Sequence, residues 1–436
     1  MPRHVCGREW FCSWGLLGLV GALLVAPCAN AADPAPVAQW PQFRGPGGMG
    51  VSRDTGLPTE WGPDQNVVWK TELPGAGSSS PIVIGQRIYL TCYRGYNVPG
   101  QGGGSPQNLE LQLVALTRDG KILWTRSVAP RLPEQESIRE EHGYATATPV
   151  ADRQRVIVFF GKSGVLAFDH AGKELWRTSV GDNLNGWGSA ASPVLYQDLV
   201  IINASVESES LVALNAKTGE EVWRAGGVNE SWNTPILVPT AEGRMELVVA
   251  KFGKILGLDP KTGKELWSCD TDINWYMAPS LVSHEDVVYS VGGRTGGGLA
   301  VRVGGKGDVT DSHRIWTIRK GSNVTSPIYH DGHLYWMHEN LAIAYCAKAS
   351  SGEIVYEERV PGGNQVYASP VLAEGKIYYL ARDGKMHVVA AKPQFEVLAV
   401  NTLGERDMYN ASPAVADGRL YLRTNRYLYC LAEKSP

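Results

Sequence analysis

Short apolar runs rich in Val, Ile, Leu and Tyr alternate with polar turns along most of the chain, and no stretch shows the spacing of an amphipathic helix. The runs fall into a repeat. Eight times a small residue precedes Pro and then an apolar strand start: Ser80-Pro81, Thr148-Pro149, Ser192-Pro193, Thr234-Pro235, Ala278-Pro279, Ser326-Pro327, Ser369-Pro370 and Ser412-Pro413. The prolines are separated by 68, 44, 42, 44, 48, 43 and 43 residues. Each unit reads as four short strands. In the third they are predicted over 193–195, 199–204, 210–215 and 221–224, with Ala216-Lys217-Thr218-Gly219-Glu220 as the turn before the last. Asp331-Gly332 and Asp417-Gly418 predict tight hairpins between first and second strands. The charged segment 133–141 predicts one short helix.

A four-stranded unit of this size cannot bury both faces alone, but radial stacking against its copies buries them all. The fold class is therefore all-β, an eight-bladed β-propeller. Pro at the first position of an innermost strand sacrifices no ladder hydrogen bond, and a small residue before it suits a crowded axis. A large ring recurs on the outer strands at Trp124, Trp176, Trp223, Trp267 and Trp316, with Tyr356 in the sixth unit, as a wedge between blades. The eighth unit ends before its outer strand. Asn66-Val67-Val68-Trp69-Lys70, ahead of the first unit, supplies the missing strand, with Trp69 at the ring position.

Residues 1–31 read as a secretory signal peptide. Arg3, His4 and Arg8 precede an apolar run over 14–25, and Ala29-Asn30-Ala31 offers small residues for cleavage near Ala31. Cys28 is a poor lipid-attachment site because Pro27 precedes it. The domain plan is thus 1–31 signal peptide, 32–59 N-terminal segment and 60–436 propeller, in a protein exported to the periplasm or beyond. Lys and Arg number 41 against 44 Asp and Glu, a net charge of −3, which argues against a nucleic-acid partner. Beyond residue 31, Cys92, Cys269, Cys346 and Cys430 are scattered too widely for a disulfide framework. They are expected as buried thiols in strands, with a single disulfide left open.

Residues 213–223, Ala213-Leu214-Asn215-Ala216-Lys217-Thr218-Gly219-Glu220-Glu221-Val222-Trp223, and the parallel stretch 257–267 resemble the tryptophan-docking repeat of pyrroloquinoline quinone (PQQ)-type propellers. Shorter copies run over 115–124 and 167–176. Trp40-Pro41-Gln42-Phe43-Arg44-Gly45-Pro46 is similar to the N-terminal segment of secreted bacterial members. The resemblance implies either a quinoprotein dehydrogenase or a non-catalytic relative similar to BamB of outer-membrane protein assembly. Dehydrogenases of the family resemble one another in adjacent cysteines and a carboxylate-held calcium. This chain has no adjacent cysteines and no C-x-x-C-H for a haem, and spacing assembles no calcium cage. The expectation is a BamB-like binding scaffold without catalytic residues, cofactor or metal. The alternative is a PQQ- and calcium-dependent alcohol or sugar dehydrogenase.

Strand order places the connections between blades, and those between second and third strands, on one face. Just ahead of the blade-starting prolines come Tyr144, Trp187, Trp232, Trp275, Tyr276, Tyr367 and Tyr409. Asn accompanies them at Asn185, Asn233, Asn274, Asn323, Asn364 and Asn410. These are the candidate binding residues, ringing a funnel with apolar bodies and polar tips that fit an envelope protein, a peptide or a glycan. The Gly-rich loop 93–108 and the segment 130–142 belong to the same face. The protein is expected to be a monomer. His330, His333 and His338 flank a hairpin whose alternation splays them, so no metal site is assigned there. The glycine run 292–298 lacks the strand-to-helix setting of a phosphate loop, and no nucleophile-elbow sequence occurs.

Overall fold

The computed structural model describes residues 39–135, 142–294 and 296–433. The expected signal peptide and most of the expected helix over 133–141 lie outside the described residues. Eight sheets, each built on four antiparallel strands, make the eight blades. The third is representative, with strands Val194–Tyr196, Leu199–Ala204, Ser210–Asn215 and Glu221–Gly226 in consecutive order. Its second and third strands are almost wholly buried, whereas the fourth buries essentially its ring residue, Trp223. The four cysteines described are buried free thiols.

The last blade is completed from the N-terminal side. Val67–Glu72 pairs antiparallel with Tyr427–Leu431, placing Trp69 opposite Cys430 and Thr71 opposite Leu428. The pairing removes the two edges that would otherwise face each other across the seam. In each blade the register slips by one residue beside the outer ring position, as between Ala213 and Leu214 opposite Trp223. This bulge turns the large ring off the strand and towards the next blade.

There the indole finds a fixed acceptor. Trp69, Trp124, Trp176, Trp223 and Trp316 donate their Nε1–H to the carbonyls of Arg118, His170, Ala216, Pro260 and Ala349, at 2.9–3.3 Å. All five carbonyls belong to the turn before the outer strand of the following blade. The turn glycine lies under the ring: a Cβ on Gly219 would sit 2.6 Å from Trp176, and one on Gly263 2.4 Å from Trp223. Both glycines also adopt positive φ, so glycine is demanded twice over.

Trp267 departs from the pattern. The connection before the fifth blade's outer strand is a longer insert, and its Gly307–Asp308 strand pairs parallel with Trp267 and Ser268. With no turn carbonyl in place, the Trp267 Nε1–H donates to the buried carboxylate of Glu246 at 2.7 Å, and the ring lies over Gly257. In the sixth blade Tyr356 takes the ring position opposite Cys346, and in the seventh it is Ala399, opposite Val388. Trp61, from ahead of the closing strand, joins the cluster that contains Ala399. It stacks on Tyr378 with centroids 6.3 Å apart, and its backbone N–H donates to Asn401 Oδ1.

At the axis the residue before each proline has a task beyond being small. The Ser80 N–H donates to Thr148 Oγ1, Thr148 N–H to Ser192 Oγ and Ser192 N–H to Thr234 Oγ1, at 2.9–3.0 Å. The belt continues through Ser280, Ser326 and Ser369 to Ser412. Where the fifth blade carries Ala278, Ser280 on the other side of the proline supplies the hydroxyl. At the seam the fully buried Arg423 adds a bond from Nη1 to the Ser79 carbonyl at 2.8 Å.

Residues 39–61 cross the end of the axis opposite the funnel and pack as part of the propeller. Trp40 exchanges backbone hydrogen bonds with Val83 in the first blade, and the Pro41 carbonyl accepts from Ala151 in the second. Arg44 is fully buried, donating to the Met49 and Pro327 carbonyls, and Val51 bridges Leu372 in the seventh blade. Burial lowers the Arg44 guanidinium to about 9.

Two substitutions test these contacts by urea unfolding. Trp223→Ala is expected to cost about 3–5 kcal/mol, the range for removing a packed aromatic side chain. Ser192→Ala should cost about 1–3 kcal/mol by orphaning the Thr148 N–H, whereas Ser192→Thr, which keeps the hydroxyl, should stay near wild type.

Candidate functional site

The predicted strand order converges the loops on one mouth, and beneath it lies a cavity of about 400 Å³. Its shaft is lined by the hydroxyl belt, from Ser80 to Ser412, and Phe43 of the N-terminal segment contributes to its wall. Its rim has two unlike sides. One is aromatic: Tyr276 lies at the centre, with Trp187, Trp232 and Trp275 at centroid distances of 5.9, 5.5 and 5.6 Å, and His142 stands edge-on to Trp187. Trp275 is 37% exposed and carries Arg294 against its face, 5.7 Å from the ring centroid. The other side is polar, comprising Tyr367, Gln365, Asn340, Asn410 and Glu339. Arg382 lies over Tyr367 at 4.4 Å and donates to Asn410 Oδ1 at 3.0 Å.

Asn323 joins the two sides. Its Nδ2 donates to the Tyr276 hydroxyl at 2.8 Å, and its backbone N–H to Glu339 Oε2 at 2.9 Å. Its Oδ1 is buried and accepts no hydrogen bond among the described residues.

Of the residues expected at the rim, Trp187, Trp232, Trp275, Tyr276, Tyr367, Asn323 and Asn410 line the cavity. Others do not. Asn233 is fully buried and works as a structural pin, with Nδ2 donating to the Ala250 and Met277 carbonyls and Oδ1 accepting the Ala250 N–H. Tyr409 is 1% exposed and packs over Gly384 in the hydrophobic core. Tyr144 is buried under the 93–108 loop, edge-on to Tyr93, with its hydroxyl donating to the Gln135 carbonyl. Asn274 is exposed outside the cavity wall. Asn185 accepts the Trp187 N–H at 2.9 Å, and Asn364 donates to Asp383.

Sequence reasoning missed a second feature beside the funnel. A narrow crevice runs between the 130–135 segment and the third blade, lined by Glu134, Asn183, Asn185, Ser189 and Glu207 among others. Glu207 sits in the single helical turn Ser205–Ser208 and is 2% exposed. Ser189 Oγ donates to its Oε1, while its Oε2 is buried and accepts nothing among the described residues. Burial pushes the Glu207 carboxyl up to about 7, and burial also raises Glu134. The legible signal was an acid, Glu207, in a second-to-third-strand connection, on the face that carries the rim.

The quinone and calcium implied by the fold can be tested against these residues. Calcium takes six to eight oxygen ligands. The funnel brings one buried carboxylate, Glu339, and its oxygens already accept from Ser322, from the Asn323 N–H and from Asn340. Among the described residues no three His, Cys, Asp or Glu side chains gather at one point. The contacts of Tyr276 with the three tryptophans are tilted or edge-on, at 45–71°, so these rings do not form a parallel slot for a planar guest. The residues present do not fit a calcium-held quinone.

Comparison with known proteins agrees with the architecture. The family described as Outer membrane protein assembly factor BamB matches over residues 105–225 and 161–340. Tetrathionate hydrolase of Acidithiobacillus ferrooxidans is 22% identical over 348 residues, which is 72% of this chain; the chain spans 64% of that protein's length. Among solved structures, a europium-containing methanol dehydrogenase superposes with a TM-score of 0.66 at 12% identity, covering 91% of this chain and 98% of the other. BamB from Moraxella catarrhalis gives 0.59 at 14%, covering 85% and 98%. Quinohemoprotein alcohol dehydrogenase from Comamonas testosteroni gives 0.64 at 13%, covering 94% and 82%. At such identities the likeness is one of fold. Among the described residues no helix is long and apolar enough to cross a membrane.

The raised Glu207 carboxyl gives stability a definite slope. The folded chain holds that proton more tightly than the unfolded chain, so the stabilisation is complete below the ordinary value of 4.5 and is lost as pH rises through about 7. In EDTA the melting temperature of the wild type should fall between about pH 5 and about pH 8 more steeply than that of Glu207→Gln. Parallel melting curves across this window would contradict the assignment.

Proposed function

The chain belongs to the family of PQQ-repeat propellers described as Outer membrane protein assembly factor BamB, and from that premise we propose that it is an exported, non-catalytic scaffold. Its funnel receives an extended segment of a cell-envelope protein. The observation that carries this reading is the two-sided rim over a cavity of about 400 Å³. Trp187, Trp275 and Tyr276 offer broad aromatic faces on one side, and Asn340, Gln365 and Asn410 offer amides on the other. An extended peptide presents the matching pair: side chains for the aromatic wall, and unpaired backbone N–H and C=O groups for the amides.

A preformed rim requires little ordering on binding, because the aromatic wall is held by the protein itself. The Trp232 Nε1–H donates to the Gly188 carbonyl at 2.8 Å, and its backbone N–H donates to Met277. Trp232 is therefore part support and part contact surface, whereas Trp275 is the cleaner probe.

The test uses the purified chain without its first 31 residues, immobilised and exposed to an envelope extract. Trp187→Ala combined with Trp275→Ala should weaken capture of the retained partner by about 2 kcal/mol or more, the loss expected for hot-spot aromatics, with an unchanged melting temperature. Capture that survives both substitutions would remove the funnel from the binding surface. Reduction of a dye by alcohols in the presence of PQQ and calcium, or consumption of tetrathionate, would replace the scaffold reading with an enzymatic one.

A further inference from the structure

The crevice beside the funnel has the makings of a site of its own. It has room for about 30 Å³ of solvent, the share of one water or one ion. Neither cysteine nor histidine lines it among the described residues; the polar side chains in its lining are carboxylates, amides, three hydroxyls and one ammonium. That ammonium, on Lys162, is committed elsewhere, donating to the Pro133 carbonyl at 2.6 Å. The Oε2 of Glu207 is buried in this wall with no donor to meet it among the described residues. Glu134 brings a second carboxylate from the neighbouring segment, close enough for the two acids to repel each other.

We propose that the crevice binds one divalent cation, calcium by its all-oxygen donors, through Glu207 and Glu134, with Asn185 and Ser189 beside them. A cation there satisfies the orphaned carboxylate oxygen and offsets the repulsion between the two acids. It also ties together two pieces of chain that are otherwise joined at the surface by the Arg131–Asp182 ion pair. The consequence reaches the funnel. Asn185 holds the Trp187 N–H, and the Gly188 carbonyl holds the Trp232 indole. Ordering of the 183–189 loop by the ion fixes one wall of the aromatic rim. The inference stands independently of what the funnel receives.

Calcium and terbium(III) serve as probes on the intact mature chain. Calorimetry in metal-free buffer should show saturable calcium binding of one ion per chain, and calcium should raise the melting temperature. Terbium should give luminescence sensitised through Trp187 that falls in Trp187→Phe. Glu207→Gln should weaken calcium binding by at least about tenfold, on the scale of the losses seen when a metal's supporting groups are removed. Its melting curve in EDTA checks that the fold is retained. Should that variant fail to fold, Glu134→Gln at the crevice edge provides the same comparison. No saturable binding in the millimolar range, or wild-type affinity in whichever of the two variants is folded, would overturn the proposal.

Discussion

An N–H that precedes a proline at the head of an innermost strand has no partner within its own blade. The whole wheel is organised around giving it one. The hydroxyl of the next blade accepts it, so successive blade starts from Ser80 to Ser412 are bound sideways to one another, with Ser280 taking this part in the fifth blade. The requirement sets the residue type at the axis, which is Ser or Thr rather than merely something small. It also sets the spacing of the strand starts, because donor and acceptor must meet within 3.1 Å in every link from Ser80 to Ser412. Ala278 shows how strict the demand is: the one blade without a hydroxyl before its proline carries Ser280 just after it. Buried backbone donors left unpaired are costly, and the belt is the answer to that cost at the most crowded point of the fold.

The outer rim of the wheel solves a different problem by related means. A bulge turns the ring residue out of its strand, and the next blade's turn presents a carbonyl to the indole and a glycine beneath it. Inner belt and outer ring thus fasten each blade to the next at both ends of its radius. The exceptions lie where this pairing is interrupted. The long insert of the fifth blade removes a turn carbonyl, and a buried glutamate replaces it. The seventh blade has only Ala399 at its ring position, and Trp61 from the N-terminal segment packs into that cluster. The segment 39–61 is therefore a structural component of the seam rather than a leader to the propeller.

Much of this was legible in the sequence because it is periodic. The small-Pro interval fixed eight blades, the recurring Trp fixed the wedges, and the unfinished last unit pointed to Trp69 and its strand. Periodicity gives the height of a residue on the wheel, however, and not the direction in which its side chain turns. Asn233, two residues before its proline, turns inward to pin two backbone carbonyls, whereas Asn410, three residues before its own, faces the cavity. Tyr409 and Trp275 both stand four residues before a proline, yet Tyr409 packs over Gly384 and Trp275 lines the cavity. The packing of segment 39–61 and the crevice were illegible for a second reason. Both belong to segments that occur once, and a unique stretch such as 40–51 or 205–208 has no copy to reveal which of its residues are constrained.

The same division separates framework from function. Repetition makes the belt and the docking ring interchangeable from blade to blade, so neither can distinguish one guest from another. Discrimination has to come from what breaks the symmetry, and the breaks cluster on one face. The aromatic wall is concentrated around Tyr276, the amides gather across the mouth from it, and Asn323 and Glu339 link the two sides through a fixed hydrogen-bond path. A symmetric rim would bind a guest in eight equivalent orientations and reward none of them. For the guest proposed above, a rim with one apolar side and one polar side would impose a single orientation, because turning the guest over would press its polar groups against indole and leave the amides unpaired.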